Sequence, residues 1–146
     1  MRYTEQSLAF IMREQGLRPT KARLRILKLL LEGHNHLSAE EIQEYLRDQG
    51  YRIGLATLYQ NLSRLTEENL LVRFNGRDGL IRYDATLEPH HHVHCLKCGR
   101  ITDVQVHEDQ LRNLQPVSLE AGSSLQEWDL QELHLELRGL CPSCRD

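Results

Sequence analysis

Over residues 5–69 the apolar positions recur three or four apart, the spacing that lines one face of an α-helix. Leu8, Ile11 and Met12 begin the pattern, which fades at Gly16, a natural C-terminal stop. Thr20 then suits the cap of a second helix with Leu24, Ile26, Leu27, Leu30 and Leu31 as its buried stripe, ending near Gly33. After His34-Asn35-His36, Ser38 with Glu41 three residues on forms a capping-box pattern for a third helix, whose Ile42, Tyr45 and Leu46 are expected to face inward until Gly50. A fourth helix is expected over 55–69, with Leu58, Leu62 and Leu65 on one face and Thr57, Tyr59, Gln60, Ser63 and Arg64 mostly on others. The period then changes: Leu70 to Phe74 and Leu80 to Tyr83 are strand-like runs around the turn-rich Asn75-Gly76-Arg77-Asp78-Gly79, which suits a hairpin.

Helices followed by a small hairpin predict a winged helix-turn-helix, with the fourth helix as the recognition element. There Arg, Gln and Tyr side chains can read base edges in the major groove while neighbouring basic groups fix register on phosphates. A fold of this shape also serves as a pure protein-interaction module.

Charge favours the nucleic-acid reading. The net charge of −3 over 146 residues divides unevenly, with 13 Lys and Arg against 10 Asp and Glu through Arg82, and 5 against 11 after it. The first part is therefore net +3 and the second net −6. Arg13, Arg18, Lys21, Arg23, Arg25 and Lys28 are interrupted only by Glu14, a cluster that fits a phosphate-facing surface as well as a solvated helical face. No apolar run approaches the roughly 20 residues of a membrane helix, and Met1 to Gln6 leads straight into helical sequence without a signal peptide, so a cytoplasmic protein is expected.

All four cysteines stand in two CxxC pairs, Cys95 with Cys98 and Cys141 with Cys144. Two such turns brought together supply four thiolates at the tetrahedral geometry zinc accepts. Two local disulfides would instead require an oxidising compartment, so structural zinc is the expected use. His90-His91-His92-Val93-His94 abuts the first pair. If this run is extended, His90 and His92 share a face, and with the nearby carboxylates Asp84 and Asp103 they suggest a second site that tolerates Fe(II), Mn(II), Zn(II) or Ni(II). His34, His107 and His134 individually read as solvent or core residues.

The chain resembles the ferric uptake regulator (Fur) family over nearly its whole length. The resemblance rests on Gly16-Leu17-Arg18-Pro19-Thr20, His36 to Ile42, Ala56 to Leu62, Arg82-Tyr83-Asp84, the block from His90 to Cys98, and Gly139 to Cys144. It implies an α+β protein with an N-terminal winged helix-turn-helix domain (1–83), a hinge (84–89) and a small α/β metal-binding dimerisation domain (90–146). It also implies a homodimeric, metal-activated transcription factor, usually a repressor. Carried over by position, Cys95, Cys98, Cys141 and Cys144 would hold structural Zn(II), and His36, Asp84, His90, His92 and Asp103 would form a regulatory site. A metal joining His36 to the dimerisation domain would fix the spacing of two recognition helices across a palindromic duplex. Arg18 matches a position where relatives insert a basic side chain into a narrow, A·T-rich minor groove. The DNA-facing set is then Arg18, Lys21, Thr57, Tyr59, Gln60 and Arg64.

Asp at both 84 and 103 looks more like the peroxide regulators (PerR-like members) than the iron-type proteins. With Fe(II) there, peroxide would oxidise His36 or His90 and release the DNA, whereas Mn(II) would bind without that reaction. A manganese- or iron-uptake repressor without peroxide sensing is the alternative, followed by a zinc or nickel sensor. Pro89 stands where relatives place a ligand of an additional site, so any extra site would be a rearranged one involving His91 or His134. Two further classes fit less of the chain. His134-Leu135-Glu136 before Cys141-Pro142-Ser143-Cys144 superficially resembles the elements of a zinc deaminase, but the proline lies inside the cysteine pair and the other CxxC would be left without a role. A metal buffer would explain the ligands but neither the basic first part nor the recognition-like helix.

Overall fold

The computed structural model describes residues 3–33, 36–85, 90–114, 116–131, 133 and 135–145. The chain divides into two compact units, 1–88 and 89–146.

The first unit contains α1 (Glu5–Glu14), α2 (Lys21–Leu31), β1 (Leu37–Ser38), α3 (Ala39–Asp48), α4 (Leu55–Glu67), β2 (Val72–Asn75) and β3 (Ile81–Asp84). Three helices end in the same way. The residue after the C-cap takes a left-handed conformation, and the N–H after it returns to a carbonyl of the last turn: Leu17 to Met12, Tyr51 to Leu46 and Leu70 to Leu65. Gly16 (φ 76°) and Gly50 (φ 81°) supply that conformation freely, while Asn69 (φ 57°) supplies it at the end of α4. The fourth helix therefore stops at Glu67, and Leu70 and Leu71 turn into the core ahead of the first hairpin strand.

Thr20 accepts from the Arg23 N–H, and Ser38 and Glu41 form a reciprocal capping box, as the residue pattern predicts. Leu8, Met12, Ile26, Leu30, Ile42, Leu46, Leu58, Leu62 and Leu65 are completely buried together. Tyr45 departs from expectation. It is 40% exposed, because Ala39, Ile42 and Leu46 complete the inward stripe of α3 and leave Tyr45 at its margin.

The hairpin strands start later than their apolar runs suggest, at Val72 and Ile81, with a turn over 76–80. A third strand is added by the two-residue β1, so the antiparallel sheet runs β1-β3-β2 with Leu37 opposite Tyr83 and Ser38 opposite Arg82.

The second unit is built around β4 (His91–Cys95), flanked by antiparallel β5 (Ile101–Val104) and parallel β6 (Glu136–Gly139). Between β5 and β6 lie a short helix, α5 (Glu108–Arg112), and a single 3₁₀ turn (Leu125–Glu127). The buried residues here are Cys95, His91, His92 and His94, whereas Leu114, Val117, Leu119, Trp128, Leu130 and Leu133 are exposed. Among the described residues this unit has no buried aliphatic side chain. No helix among the described residues is long and apolar enough to cross a membrane.

Truncation at the centre of the first core measures its packing. Leu62→Ala is expected to lower unfolding stability by about 2–5 kcal/mol, through lost burial and the cavity it leaves. Leu80→Ala, at a 45% exposed site in the turn, should stay within about 0.5 kcal/mol in the same urea titration.

Candidate metal centres and nucleic-acid face

The parallel pairing of β4 with β6 brings the two CxxC turns together. Cys95 lies opposite Gly139, so both strands leave the sheet at the same end, and the Leu96 N–H donates to the Gly139 carbonyl at 2.7 Å. All four cysteines are free thiols whose sulfurs lie within 4.8 Å of one another. A tetrahedron with bonds of about 2.3 Å has edges of about 3.8 Å, and Cys98 Sγ and Cys141 Sγ stand 3.8 Å apart. Donor type and spacing both fit zinc.

The backbone prepares one of these sulfurs to ligate. N–H groups of Cys98, Cys141 and Lys97 draw the Cys95 thiol down to about 6, the Cys141 N–H lying 3.3 Å away. Cys144 is pushed up to about 12, chiefly because it hydrogen-bonds Cys141, then by desolvation. A Cys95 thiolate favoured in the folded state contributes stability that is complete above its ordinary value near 9 and is lost as pH falls through about 6.

The remaining predicted ligands form a His/Asp set in each unit. In the first, the register that puts Leu37 opposite Tyr83 sets His36 beside Asp84, with Nε2 3.3 Å from Oδ2. Asp84 is fully buried, and the His36 ring meets Phe74 edge-on at 5.7 Å. In the second, His92 lies directly across from Asp103 on β5. His92 Nε2 and His90 Nε2 approach the same Asp103 oxygen at 3.3 and 3.5 Å, with the two rings 4.8 Å apart. His90 does its part from just before β4, not from within it. Donors bound at about 2.1 Å to one ion lie about 3.0–3.4 Å apart in octahedral or tetrahedral arrangement, so the pairs have the spacing of shared ligands.

The other histidines separate from this set. His91 faces the opposite way and accepts the Leu135 N–H at Nδ1, 3.0 Å distant. His94 is buried with Nε2 3.9 Å from Glu136, a role the sequence reading did not foresee. His107 is exposed, and His34, His134 and Pro89 lie outside the described residues.

The basic cluster resolves into two kinds of side chain. Arg23 is engaged internally, donating to the Arg18 carbonyl at 2.8 Å and to Asn61 Oδ1 of α4 at 3.2 Å, and Arg25 stacks over Tyr51 at 4.9 Å. Arg13, Arg18 and Lys21 are exposed, as are Thr57, Tyr59, Gln60 and Arg64 on α4. Tyr59 donates to Glu40 at 3.1 Å, and Arg64 pairs with Glu67 and Glu68 at 2.8 and 3.2 Å. These contacts are at the surface, where such pairs are worth at most about 1 kcal/mol and yield readily to a phosphate.

A winged-helix unit joined to a small sheet with a tetrathiolate is the architecture of a metal-responsive regulator. The sequence profile of the Ferric uptake regulator family matches residues 14–133, and the chain belongs to that family of transcription regulators. The peroxide-responsive repressor PerR of Staphylococcus aureus is 30% identical over 142 residues, 97% of this chain and 91% of that protein. The Vibrio cholerae ferric uptake regulator is 28% identical with a TM-score of 0.68, covering 92% of this chain and 99% of that one. The ferric uptake regulator from Pseudomonas aeruginosa with manganese is 27% identical with a TM-score of 0.70, covering 96% and 99%.

Acidification tests the sulfur cluster. Zinc bound by the four cysteines is expected to stay in place at neutral pH and to be released only as acid puts protons back on the thiolates. A chromogenic chelator reads the release. Zinc retained in full at neutral pH by both Cys98→Ser and Cys141→Ser would show that the cysteines do not hold it.

Proposed function

We propose that this chain is a homodimeric DNA-binding repressor in which His36 and Asp84 share one divalent ion with His90, His92 and Asp103. Cys95, Cys98, Cys141 and Cys144 carry structural zinc. The carrying observation is that each unit already pairs imidazole with carboxylate at 3.3–3.5 Å. Histidine and carboxylate donors together suit first-row divalent ions such as Fe(II) and Mn(II).

The residues do three things in this reading. Cys95 to Cys144 fasten the ends of a unit that has little core of its own. The exposed apolar side chains of that unit, with a groove of about 530 Å³ lined by Leu111, Leu114, Pro116, Leu130, Leu133 and Leu135, face the second copy. The five nitrogen and oxygen ligands restrain the winged helix relative to that dimer core, so α4 of each copy reaches its half of a palindromic, A·T-rich duplex in register. Arg18 and Lys21 hold phosphate or the minor groove, and Thr57, Tyr59, Gln60 and Arg64 meet the major groove.

Within that class we place the chain among peroxide sensors. Asp84 and Asp103 complete a site of the PerR-like type, and the identity to PerR extends over most of the chain. Fe(II) held there would supply the reducing equivalents that cleave peroxide next to His36 and His90, and Mn(II) would not.

The test uses zinc-loaded protein and a palindromic A·T-rich duplex at fixed salt. Anaerobic Fe(II) and Mn(II) should each promote binding, and a low dose of peroxide should release the duplex from the iron form alone. Mass spectrometry should find the added oxygen on His36 or His90. Equal DNA binding by both forms after peroxide would instead make the protein an uptake repressor, its histidines ligands only. Failure of either ion to promote binding would defeat the regulatory reading altogether.

A further inference from the structure

One side chain of the first unit is tied to three of its elements at once. Arg82 Nη1 donates to the His36 carbonyl at 2.7 Å and to Glu41 Oε2 at 3.0 Å, and Nη2 donates to Asp78 Oδ2 at 2.7 Å. His36 lies in the loop before β1, Glu41 in the first turn of α3, and Asp78 in the wing turn between β2 and β3. The Glu41 oxygen is the same one that accepts the Ser38 N–H at 2.9 Å, so the guanidinium also braces the capping box. Its side chain is 17% exposed, while the Glu41 and Asp78 carboxylates it reaches are 42% and 44% exposed.

Two further features show that the surroundings are shaped to this arrangement. His36 has φ 69°, a left-handed conformation that costs a residue with a Cβ about 1–2 kcal/mol. Its peptide is gripped from both ends, the N–H donating to the Tyr83 carbonyl at 2.9 Å and the C=O accepting from Arg82. In the wing, a Cβ added at Gly76 would lie 2.6 Å from Asp78 Oδ1 and 2.8 Å from Arg82 Nε, so a side chain at residue 76 would have to displace the Asp78–Arg82 pair.

We propose that Arg82 is a positioning residue for the metal ligands of the first unit, holding the backbone of His36 and coupling it to the wing turn at Asp78. The inference rests on the reading of His36 and Asp84 as ligands. Arg82 bonds the His36 carbonyl and so sets the peptide from which the imidazole extends. Because Asp78 shares the same guanidinium, a displacement of the wing by a phosphate backbone alters what holds His36. By reciprocity, DNA at the wing and metal at His36 then change each other's affinity by the same factor.

Mn(II) affinity of the full-length, zinc-loaded protein, measured by competition with a chelating dye, tests this in Arg82→Met, Arg82→Lys, Asp78→Asn and the control His36→Ala. Removing a group that orients a ligand typically costs about 10–100-fold in metal affinity, and Arg82→Met is expected in that range. Zinc content and helical circular dichroism should stay unchanged, and DNA binding should recover at saturating Mn(II). Arg82→Lys keeps the charge but not the planar fork, so it should recover only part of the affinity. Asp78→Asn should lose less than Arg82→Met and should weaken the effect of DNA on Mn(II) binding.

If Arg82→Met fails to fold by circular dichroism, Arg82→Lys and Asp78→Asn carry the decision. Normal Mn(II) affinity in the arginine variants, alongside loss in His36→Ala, overturns the positioning role while leaving the site intact. DNA binding lost equally at saturating metal, with metal affinity untouched, makes Arg82 a structural brace and overturns it too. If His36→Ala itself binds Mn(II) like the parent, the ligand assignment has failed and this inference falls with it.

Discussion

Among the described residues the second unit buries no aliphatic side chain, so the four sulfurs that its strands bring together are the strongest restraint it has to offer. Its sheet buries imidazoles and one cysteine where an ordinary small domain buries leucines. A unit of 58 residues is already at the size where a hydrophobic core alone is marginal. The sulfurs answer this topologically. Cys95 closes β4 and Cys141 follows β6, so zinc held by the four sulfurs would fasten the two strands where they leave the sheet together. That restraint fixes β4, and β4 presents His90 and His92 to Asp103 on β5. The sulfur cluster therefore stands upstream of the proposed nitrogen and oxygen ligands as well as of the fold.

The first unit is stabilised in the opposite way, by a leucine-rich core with well-capped helices. Its charged side chains are consequently released for other uses, but not all of them. Arg23 and Arg25 lie in the same basic run as Arg18 and Lys21, yet the first pair is consumed in joining α2 to its neighbours. The consumption has a purpose at the surface, since Arg23 holds the backbone of Arg18. The basic cluster is thus part scaffold and part exposed surface.

Much of this was readable from residue order. The helices, their caps and their inward stripes follow from spacing that every neighbour reinforces, and two CxxC turns leave few uses for four cysteines. What escaped was set by contacts between distant segments. Two residues of β1 have no periodicity to detect, yet their pairing with β3 is what places His36 beside Asp84, and only family resemblance pointed to that histidine. Tyr45 was placed inward because it falls at helical spacing, but three smaller inward residues had already filled the stripe. Parallel pairing of β4 with β6 spans the long, weakly patterned segment between β5 and β6, where local propensity is silent. The approach of buried His94 to Glu136, which stands diagonally across from it, is a consequence of the same register.

Preformed His/Asp pairs also bear on how a small ligand set could govern a large rearrangement. Swinging a two-state equilibrium from 1:99 to 99:1 takes about 5.5 kcal/mol of differential binding. Were His36, Asp84, His90, His92 and Asp103 each disordered before binding, much of their affinity would go into ordering side chains. Here Asp84 is buried in a strand, His92 and Asp103 are opposed by sheet register, and His36 is clamped at both ends of its peptide. In the proposed reading, side chains arranged in advance within each unit would leave more of the binding energy for regulation than side chains that had first to be ordered. Regulation of this kind needs rigid parts, and the chain concentrates its capping, register and guanidinium contacts within its units.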